Sequence, residues 1–484
     1  MDDVLIVGAG PTGLMLAVWL AESGVKARIV DPKRGPTQET RAVAVQARTL
    51  ELWDRIGLAE RALQLGHKTY SGRFWVRGKD KARLRFGDLG RGLSPFPYVF
   101  MLGQDQTEAM LYERLCDLGG DVEWGTRVES VEGNRVRFGP LPAAGSQDSL
   151  REEEYRFILG CDGASSVVRR AAGLDFPGGT YAAHFYVADV DAAGGVAPGE
   201  LNLTLFEDRF LAFFPLDGKG RFRMIGLLDP ILDPEKATVD DVRPEAERLT
   251  HTTLTDVRWF SVYRVHHRVV SQFRKGPLFV VGDAAHVHSP VGGQGMNTGL
   301  GDAVNLGWKL VEVLKHGASE RLLDTYEAER LPFAQSLVKT TDRAFELVLR
   351  NTPLAQFVKL SLVPRLLPLL LAIPAARRAA FERISQILIQ YRNGPLAEVQ
   401  AGRFVAGERL RPEVAGGGVQ WRVVGPSSPA TEAWCEKRGI DHRSESSIVE
   451  TLLVRPDGYL GCVLPSFQVD ALERYLRDKI GRPG

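Results

Sequence analysis

The first 31 residues admit very few folds. Residues 4–8 (VLIVG) are a short apolar run of buried-strand type, and Gly8, Gly10 and Gly13 complete a G-x-G-x-x-G turn directly after it. The helix that follows places Leu16, Ala17 and Leu20 where they can face a sheet, and Lys26 to Val30 return as a second strand ending at Asp31. Strand, glycine turn, helix, strand and acid in that order define a βαβ unit with a parallel sheet. The first glycine permits the tight turn, the second lets a pyrophosphate approach the backbone, and the third lets helix and strand touch. An acid about 20 residues on suits the hydroxyls of a ribose. The pattern specifies a dinucleotide without saying which one.

A second ligand-binding edge is written in residues 277–316, PLFVVGDAAHVHSPVGGQGMNTGLGDAVNLGWKLVEVLKH. A strand-type run ends at Gly282 and Asp283, and a turn containing Pro290, Gly292, Gly293 and Gly295 leads into a long amphipathic helix. Leu300, Val304, Gly307, Val311 and Leu314 recur at spacings of four and three, which predicts one buried face, and Lys315, His316 and Gly317 suit its C-terminal end. The first turn of such a helix carries unpaired N–H groups and partial positive charge, so an anion or an electron-rich ring fits against it. Asp283, at the carboxyl end of its strand, offers an acceptor for a polyol chain.

Composition narrows the partners. A hydrophobic content of 44% and a charged content of 25% are those of an ordinary globular protein, and a net charge of +1 without a long basic run leaves no footprint for nucleic acid. Cys116, Cys161, Cys435 and Cys462 show no CxxC or metal-ligand spacing, which suits a reducing cytoplasm and predicts no metal site. The first strand begins almost at once, leaving no room for a signal peptide, and a cytoplasmic location is expected. LVPRLLPLLLAIP at 362–374 is interrupted by Pro364, Arg365, Pro368 and Pro374; it is expected to fall short of a bilayer span and to form a buried helix, with peripheral membrane contact as the lesser alternative.

Between these landmarks the periodicity predicts helices at 47–66 and 104–118, strand-like segments around 121–138, an exposed loop at 139–153, and a strand, Asp-Gly turn and basic helix over 157–178. From about 180 to 269 the pattern turns to alternation, with strands at 201–206, 210–216 and 222–228 and the turn DGKG, so an antiparallel sheet is expected. Residues 340–395 read as helical.

Three motifs now stand in order: GAGPTG at 8–13, CDGASSVVR at 161–169 and GDAAHVHSPVGGQGMNTGLGDAVNLGWKL at 282–310, followed by LLDTYEAERLP at 322–332. Together they resemble the single-component FAD-dependent aromatic hydroxylases, the class of para-hydroxybenzoate hydroxylase. Within that class the resemblance is to the phenol hydroxylase branch and the aromatic polyketide hydroxylases, and it covers residues 1 to 345 well. It implies an α/β fold in which a Rossmann-like FAD-binding domain (1–179 and 270–340) carries an inserted antiparallel β-sheet substrate domain (180–269). A helical segment (341–399) and a small, shortened thioredoxin-like C-terminal domain (400–484) would follow.

The resemblance also implies roles. Gly8, Gly10 and Gly13 would hold the FAD pyrophosphate, and Asp31, where the family more often has Glu, the adenosine ribose. Arg41 would meet the flavin or the incoming NAD(P)H as the ring moves, Gln104 with Glu108 would contact FAD, and Asp162 would stand near both dinucleotides. Asp283 would hold the ribityl chain, with Pro290 in the preceding turn and Gly295, Met296 and Asn297 beside the pyrimidine edge of the ring. In this family NADH or NADPH reduces FAD, oxygen adds at C4a, and the hydroperoxide hydroxylates an electron-rich ring, a phenol or a polyketide-type quinone. A single Rossmann fingerprint leaves nicotinamide without a domain of its own, as transient hydride delivery requires.

Some roles stay open. Alternation puts Leu211, Phe213 and Pro215 on one face of their strand and Ala212, Phe214 and Leu216 on the other; the face with Phe213 and Pro215 is taken as the roof of the substrate pocket. His67, His184, His266, His267, His286 and His288 are candidate bases, and His286 reads first as a residue that fixes its loop. A halogenase or dehydrogenase on the same fold is the alternative enzyme, though no WxWxIP motif is present, and a flavoprotein that only shelters a reactive aromatic intermediate is the non-catalytic one.

Overall fold

The computed structural model describes residues 3–38, 42–87, 89–140, 151–206, 209–290, 292–350, 352–398 and 400–483. Its first sheet has six strands in the order 274–275, 278–280, 157–160, 4–7, 28–31, 123–124, all parallel except the outer pair 274–275 and 278–280. Val4–Val7 is buried along its whole length, as a central parallel strand must be. Helices Pro11–Glu22 and Gly295–Lys315 share the core on this sheet, and a Cβ at Gly307 would stand 2.9 Å from the Trp19 ring, so the glycine sets how closely they pack.

The helix Gly295–Lys315 is not amphipathic in the fold. It is buried on nearly every side from Asn297 to Val313 because the C-terminal unit covers what the sheet leaves open. Its polar groups are paired internally: the Asn305 amide and the Lys309 ammonium both donate to Glu329, at 2.7 and 2.9 Å. Arg455 of the C-terminal unit donates to the same carboxylate at 2.6 Å, and Asp457 accepts from the Trp308 indole at 3.1 Å.

The second sheet has eight strands, in the order 286–287, 252–269, 178–194, 221–227, 209–215, 201–206, 71–76, 79–85. Its centre is the antiparallel set expected from alternation, but the hairpin 71–85 lies upstream of residue 180 and joins through a parallel pairing of 71–76 with 201–206. The sheet is therefore assembled from both sides of the expected insertion. Helix Val239–Thr250, which the reading of alternation missed, covers one face: Val242, Ala246 and Leu249 pack with Phe213, Phe222 and Met224. The reciprocal cap between Thr238 and Asp241 was its sequence signal.

Other departures are local. The helix expected over 47–66 breaks into Ala47–Arg55 and Ala59–Leu65, with Gly57 at φ 72° between them. Most of the loop expected at 139–153 lies outside the described residues, and its flanks 135–140 and 151–154 pair as antiparallel strands. Residues 353–384 are helical, but they are not the buried helix expected: Leu366, Leu369, Leu370 and Ile373 are exposed. The run Pro353–Ala372 is, by length and composition alone, long and apolar enough for a bilayer.

The C-terminal sheet runs 441–444, 422–425, 451–454, 460–464, with the first pair parallel and the others antiparallel, the thioredoxin-like order. Cys435 and Cys462 are buried and unbonded, and burial pushes their thiols up to about 11 and about 12, so neither is poised as a thiolate.

Candidate active site

The three glycines of the first turn have three different environments. Gly8 sits at φ 102°, and a Cβ there would lie 2.4 Å from the Cys161 carbonyl oxygen; a Cβ on Gly13 would lie 1.9 Å from the Gly8 carbonyl oxygen. Gly10 has nothing within 4 Å of its Cβ position, and it is the N-cap of Pro11–Glu22 with no side-chain cap. Free N–H groups of a helix start thus face open space where a pyrophosphate fits. Asp31, at the end of the second strand, accepts from the Ala9 N–H at 2.6 Å and the Lys33 N–H at 2.7 Å, and its oxygens keep lone pairs for ribose hydroxyls.

The loop beyond Asp31 is held by the helix Gln104–Asp117. Glu108, 1% exposed, accepts from the Lys33 ammonium, the Thr37 N–H and the Gln104 amide, while Gln104 accepts from the Ala42 N–H at 3.3 Å. Arg41 lies outside the described residues. Gln104 and Glu108 anchor the loop on either side of it.

At the start of Gly295–Lys315, Gly295 and Met296 are partly exposed, but Asn297 is turned inward. Its oxygen accepts from the Gln46 N–H at 2.8 Å and the Thr49 hydroxyl at 2.7 Å; its amide donates to the carbonyls of Ala44 and Gly293. Asn297 therefore cannot offer its side chain to a ring. It clamps the glycine turn to residues 44–49 and leaves its backbone N–H to the site. Gln46, which also donates to the Gly292 carbonyl, is a positioning residue that no sequence signal marked.

Asp283 and Pro290 are exposed on the turn between strand and helix. Beneath them, the His286 Nε2 and the Arg330 Nε bond opposite oxygens of buried Asp302, each at 2.6 Å. Burial would push the Asp302 carboxyl up, but Arg330 and His286 outweigh it and hold it below its usual value. His286 fixes the turn. His288 donates through Nδ1 to the Ser289 carbonyl at 2.8 Å, and burial lowers it to about 4, so it is neutral; among the described residues its Nε2 has no partner.

The second motif touches both others. Asp162 accepts from the N–H groups of Val167 and Val168 at 2.7 and 3.3 Å, its Oδ1 has no partner among the described residues, and burial raises its carboxyl. Arg169 donates to the Ala284 carbonyl at 2.9 Å, tying CDGASSVVR to GDAAH.

In the eight-stranded sheet, the face of strand Arg209–Pro215 expected to roof a pocket is the one that is buried. Phe213 is fully buried under the helix Val239–Thr250, and Pro215 pairs with Phe222 on that same side, so neither roofs a pocket. The other face carries Phe210, Ala212 and Phe214. Phe214 lies opposite Arg223, Arg223 opposite Asp189, and Asp189 opposite Trp259, so all share this face. It is turned towards the first domain: burial lowers Arg223, and the carboxylates opposing that shift are Asp189, at 2.7 Å, and Asp105 at the start of Gln104–Asp117. A separate small cavity of about 20 Å³, lined by Arg48, Thr49, Asn297, Arg330, Tyr391 and Asp457, lies behind Asn297 and belongs to the buried ion network rather than to this site.

Glycine cradle, ribose acid, capless helix start and aromatic-bearing wall together fit FAD and define a flavoprotein of the Rossmann type. The family profile described as FAD binding domain matches residues 1–341, and the chain belongs to the FAD-dependent aromatic hydroxylases, monooxygenases that use FAD with NAD(P)H as co-substrate. It is 36% identical over 426 residues to 6-methylpretetramide 4-monooxygenase of Streptomyces rimosus, covering 84% of this chain and 74% of that one. It is 29% identical over 500 residues to pentachlorophenol 4-monooxygenase of Sphingobium chlorophenolicum, covering 98% and 89%. Among solved structures it is similar to the OxyS anhydrotetracycline hydroxylase from Streptomyces rimosus, with a TM-score of 0.78 at 29% identity over 100% of this chain and 99% of that one.

Proposed function

We propose that this protein uses NAD(P)H and O2 to hydroxylate a phenolic or polyketide-type aromatic ring. The observation that carries the reading is a sheet face bearing Phe210, Phe214 and Trp259 around one buried ion pair, Asp189 with Arg223, in a chain whose Gly295–Lys315 helix start suits a flavin. The names of the relatives, which give 6-methylpretetramide, anhydrotetracycline and pentachlorophenol as what those proteins act on, support the same substrate class.

When bound, FAD accepts hydride from the nicotinamide and activates oxygen for transfer to the ring. The chain's own residues supply the surroundings. Gly8, Gly10, Gly13 and the first turn of Pro11–Glu22 would take the pyrophosphate, Asp31 the ribose, and Asp283 the ribityl hydroxyls. The N–H groups of Gly295, Met296 and Asn297, at the start of their helix, would direct positive charge to the pyrimidine edge of the ring without a cationic side chain. Arg41 and the loop anchored by Gln104 and Glu108 would serve movement of the ring and docking of NAD(P)H, with Asp162 beside them. The aromatic face excludes water and lays the substrate ring flat. A cytoplasmic location, where NAD(P)H is regenerated, suits this chemistry.

The test is turnover of the purified flavoprotein. With a panel of phenols and polycyclic quinones, substrate-dependent NAD(P)H and O2 consumption with ¹⁸O from ¹⁸O₂ in the product is the expected result. Substrate binding without either consumption would favour the sheltering role instead.

A further inference from the structure

The segment 353–388 carries a surface that the proposed reaction does not use. Nine of the thirteen large hydrophobic side chains exposed among the described residues lie between Leu354 and Leu388, with Leu354 73% and Leu369 65% exposed. The helical run Pro353–Ala372 has a mean hydropathy of 1.5, and only 6% of it is buried. Patches of this kind on a folded protein mark an interaction surface.

The segment lies flat. Leu360 and Val363 pack on the cluster of Phe74, Val76 and Leu205 at the edge of the eight-stranded sheet, and the Phe381 ring sits where a Cβ on Gly90 would be. Crossing a bilayer would tear these contacts open, so the exposed side is presented in a plane. Charge then decides what covers it. Residues 353–388 hold Lys359, Arg365, Arg377, Arg378 and Arg383 against Glu382 alone, a net charge of +4 in a chain whose total is +1. A two-fold contact with a second copy would bring the same cations face to face. An anionic bilayer offers acyl chains to the leucines and headgroup phosphates to the arginines.

We propose that this face seats the protein reversibly on an anionic lipid surface. The inner side of the segment packs on the sheet beside Phe210, so an apolar aromatic substrate dissolved in the bilayer has a short path to the pocket. That route rests on the function proposed above; the docking does not.

The experiment is co-sedimentation of the FAD-loaded protein with vesicles of phosphatidylcholine and phosphatidylglycerol at about 2:1, and with phosphatidylcholine alone. Binding to the anionic vesicles that weakens as salt rises is expected, with about a ten-fold or greater loss in Leu369→Glu/Leu370→Glu and in Arg377→Glu/Arg378→Glu. The flavin spectrum and thermal midpoint of each variant, matching wild type, show that it is folded. Absence of binding at low salt, or binding indifferent to both double variants, overturns the proposal. So does a concentration-dependent dimer abolished by Leu369→Glu/Leu370→Glu in a protein that ignores vesicles, which assigns the face to a second copy. Vesicle binding is read without turnover, so failure of the hydroxylation assay leaves this result standing.

Discussion

Single residues in the cradle separate folding from cofactor binding. A methyl on Gly10 enters open space at an ordinary φ of −78°, so Gly10→Ala should fold with an unchanged apoprotein melting temperature yet lose FAD affinity by about ten-fold or more, because the methyl occupies the pyrophosphate position. Gly13→Ala places its methyl 1.9 Å from the Gly8 carbonyl oxygen and should give little folded protein. Equal stability of the two variants would show that the turn relaxes. Asp283 belongs to the same scale: Asp283→Ala should weaken FAD by ~1–3 kcal/mol, roughly five- to a hundred-fold, in a flavin titration. These glycines and acids were legible because backbone geometry and ligand chemistry both restrict the residue type. Asn297 was legible as a site residue but not in its role, since an amide that clamps a loop and one that meets a ring look alike in sequence.

At the level of elements, the strand Arg209–Pro215 shows what alternation leaves open. Period two puts Phe213 and Phe214 on opposite faces, but which face meets the ligand was decided by the helix Val239–Thr250, which closes over Phe213. Phe213→Ala should therefore cost ~3–5 kcal/mol of stability, read by urea unfolding, and leave the product's regiochemistry unchanged. Phe214→Ala should do the reverse, raising KM or scattering the position of hydroxylation while the unfolding midpoint moves little. A substrate effect confined to Phe213 would restore the parity first expected. The surface helices at 353–384 taught the same lesson in another form: an apolar run reads as core until the structure shows that its inner side alone is covered.

Across the whole molecule, the C-terminal unit is tied to the rest through Glu329. Burial alone would push this carboxyl up, but Arg455 and Lys309 outweigh it and hold it at about 2, below the ordinary 4.5. A depressed carboxylate contributes stability that is fully present above pH 4.5 and is lost as pH falls towards about 2. Glu329→Gln should be less stable than wild type by ~3–5 kcal/mol at neutral pH, since Lys309 and Arg455 lose the buried carboxylate they share. That gap should narrow steadily in urea unfolding below pH 4.5. A gap independent of pH would mean that packing, not charge, joins the two units. Lys309, which burial lowers to about 8, adds a slope of the same sign in a second window: stability should rise with pH between about 8 and 10.5.

The sequence by itself determined the dinucleotide turn, the second ligand edge, the antiparallel character of the inserted strands and the family, because each is a short-range pattern whose physics is local. Tertiary structure decided the parity of the substrate wall, the burial of Gly295–Lys315 on its polar side, the recruitment of strands 71–85 into the second sheet and the exposure of the leucines at 366–370. Each of those depends on which distant element arrives to cover a face, and a pattern of apolar spacing records that a face is apolar without recording what covers it.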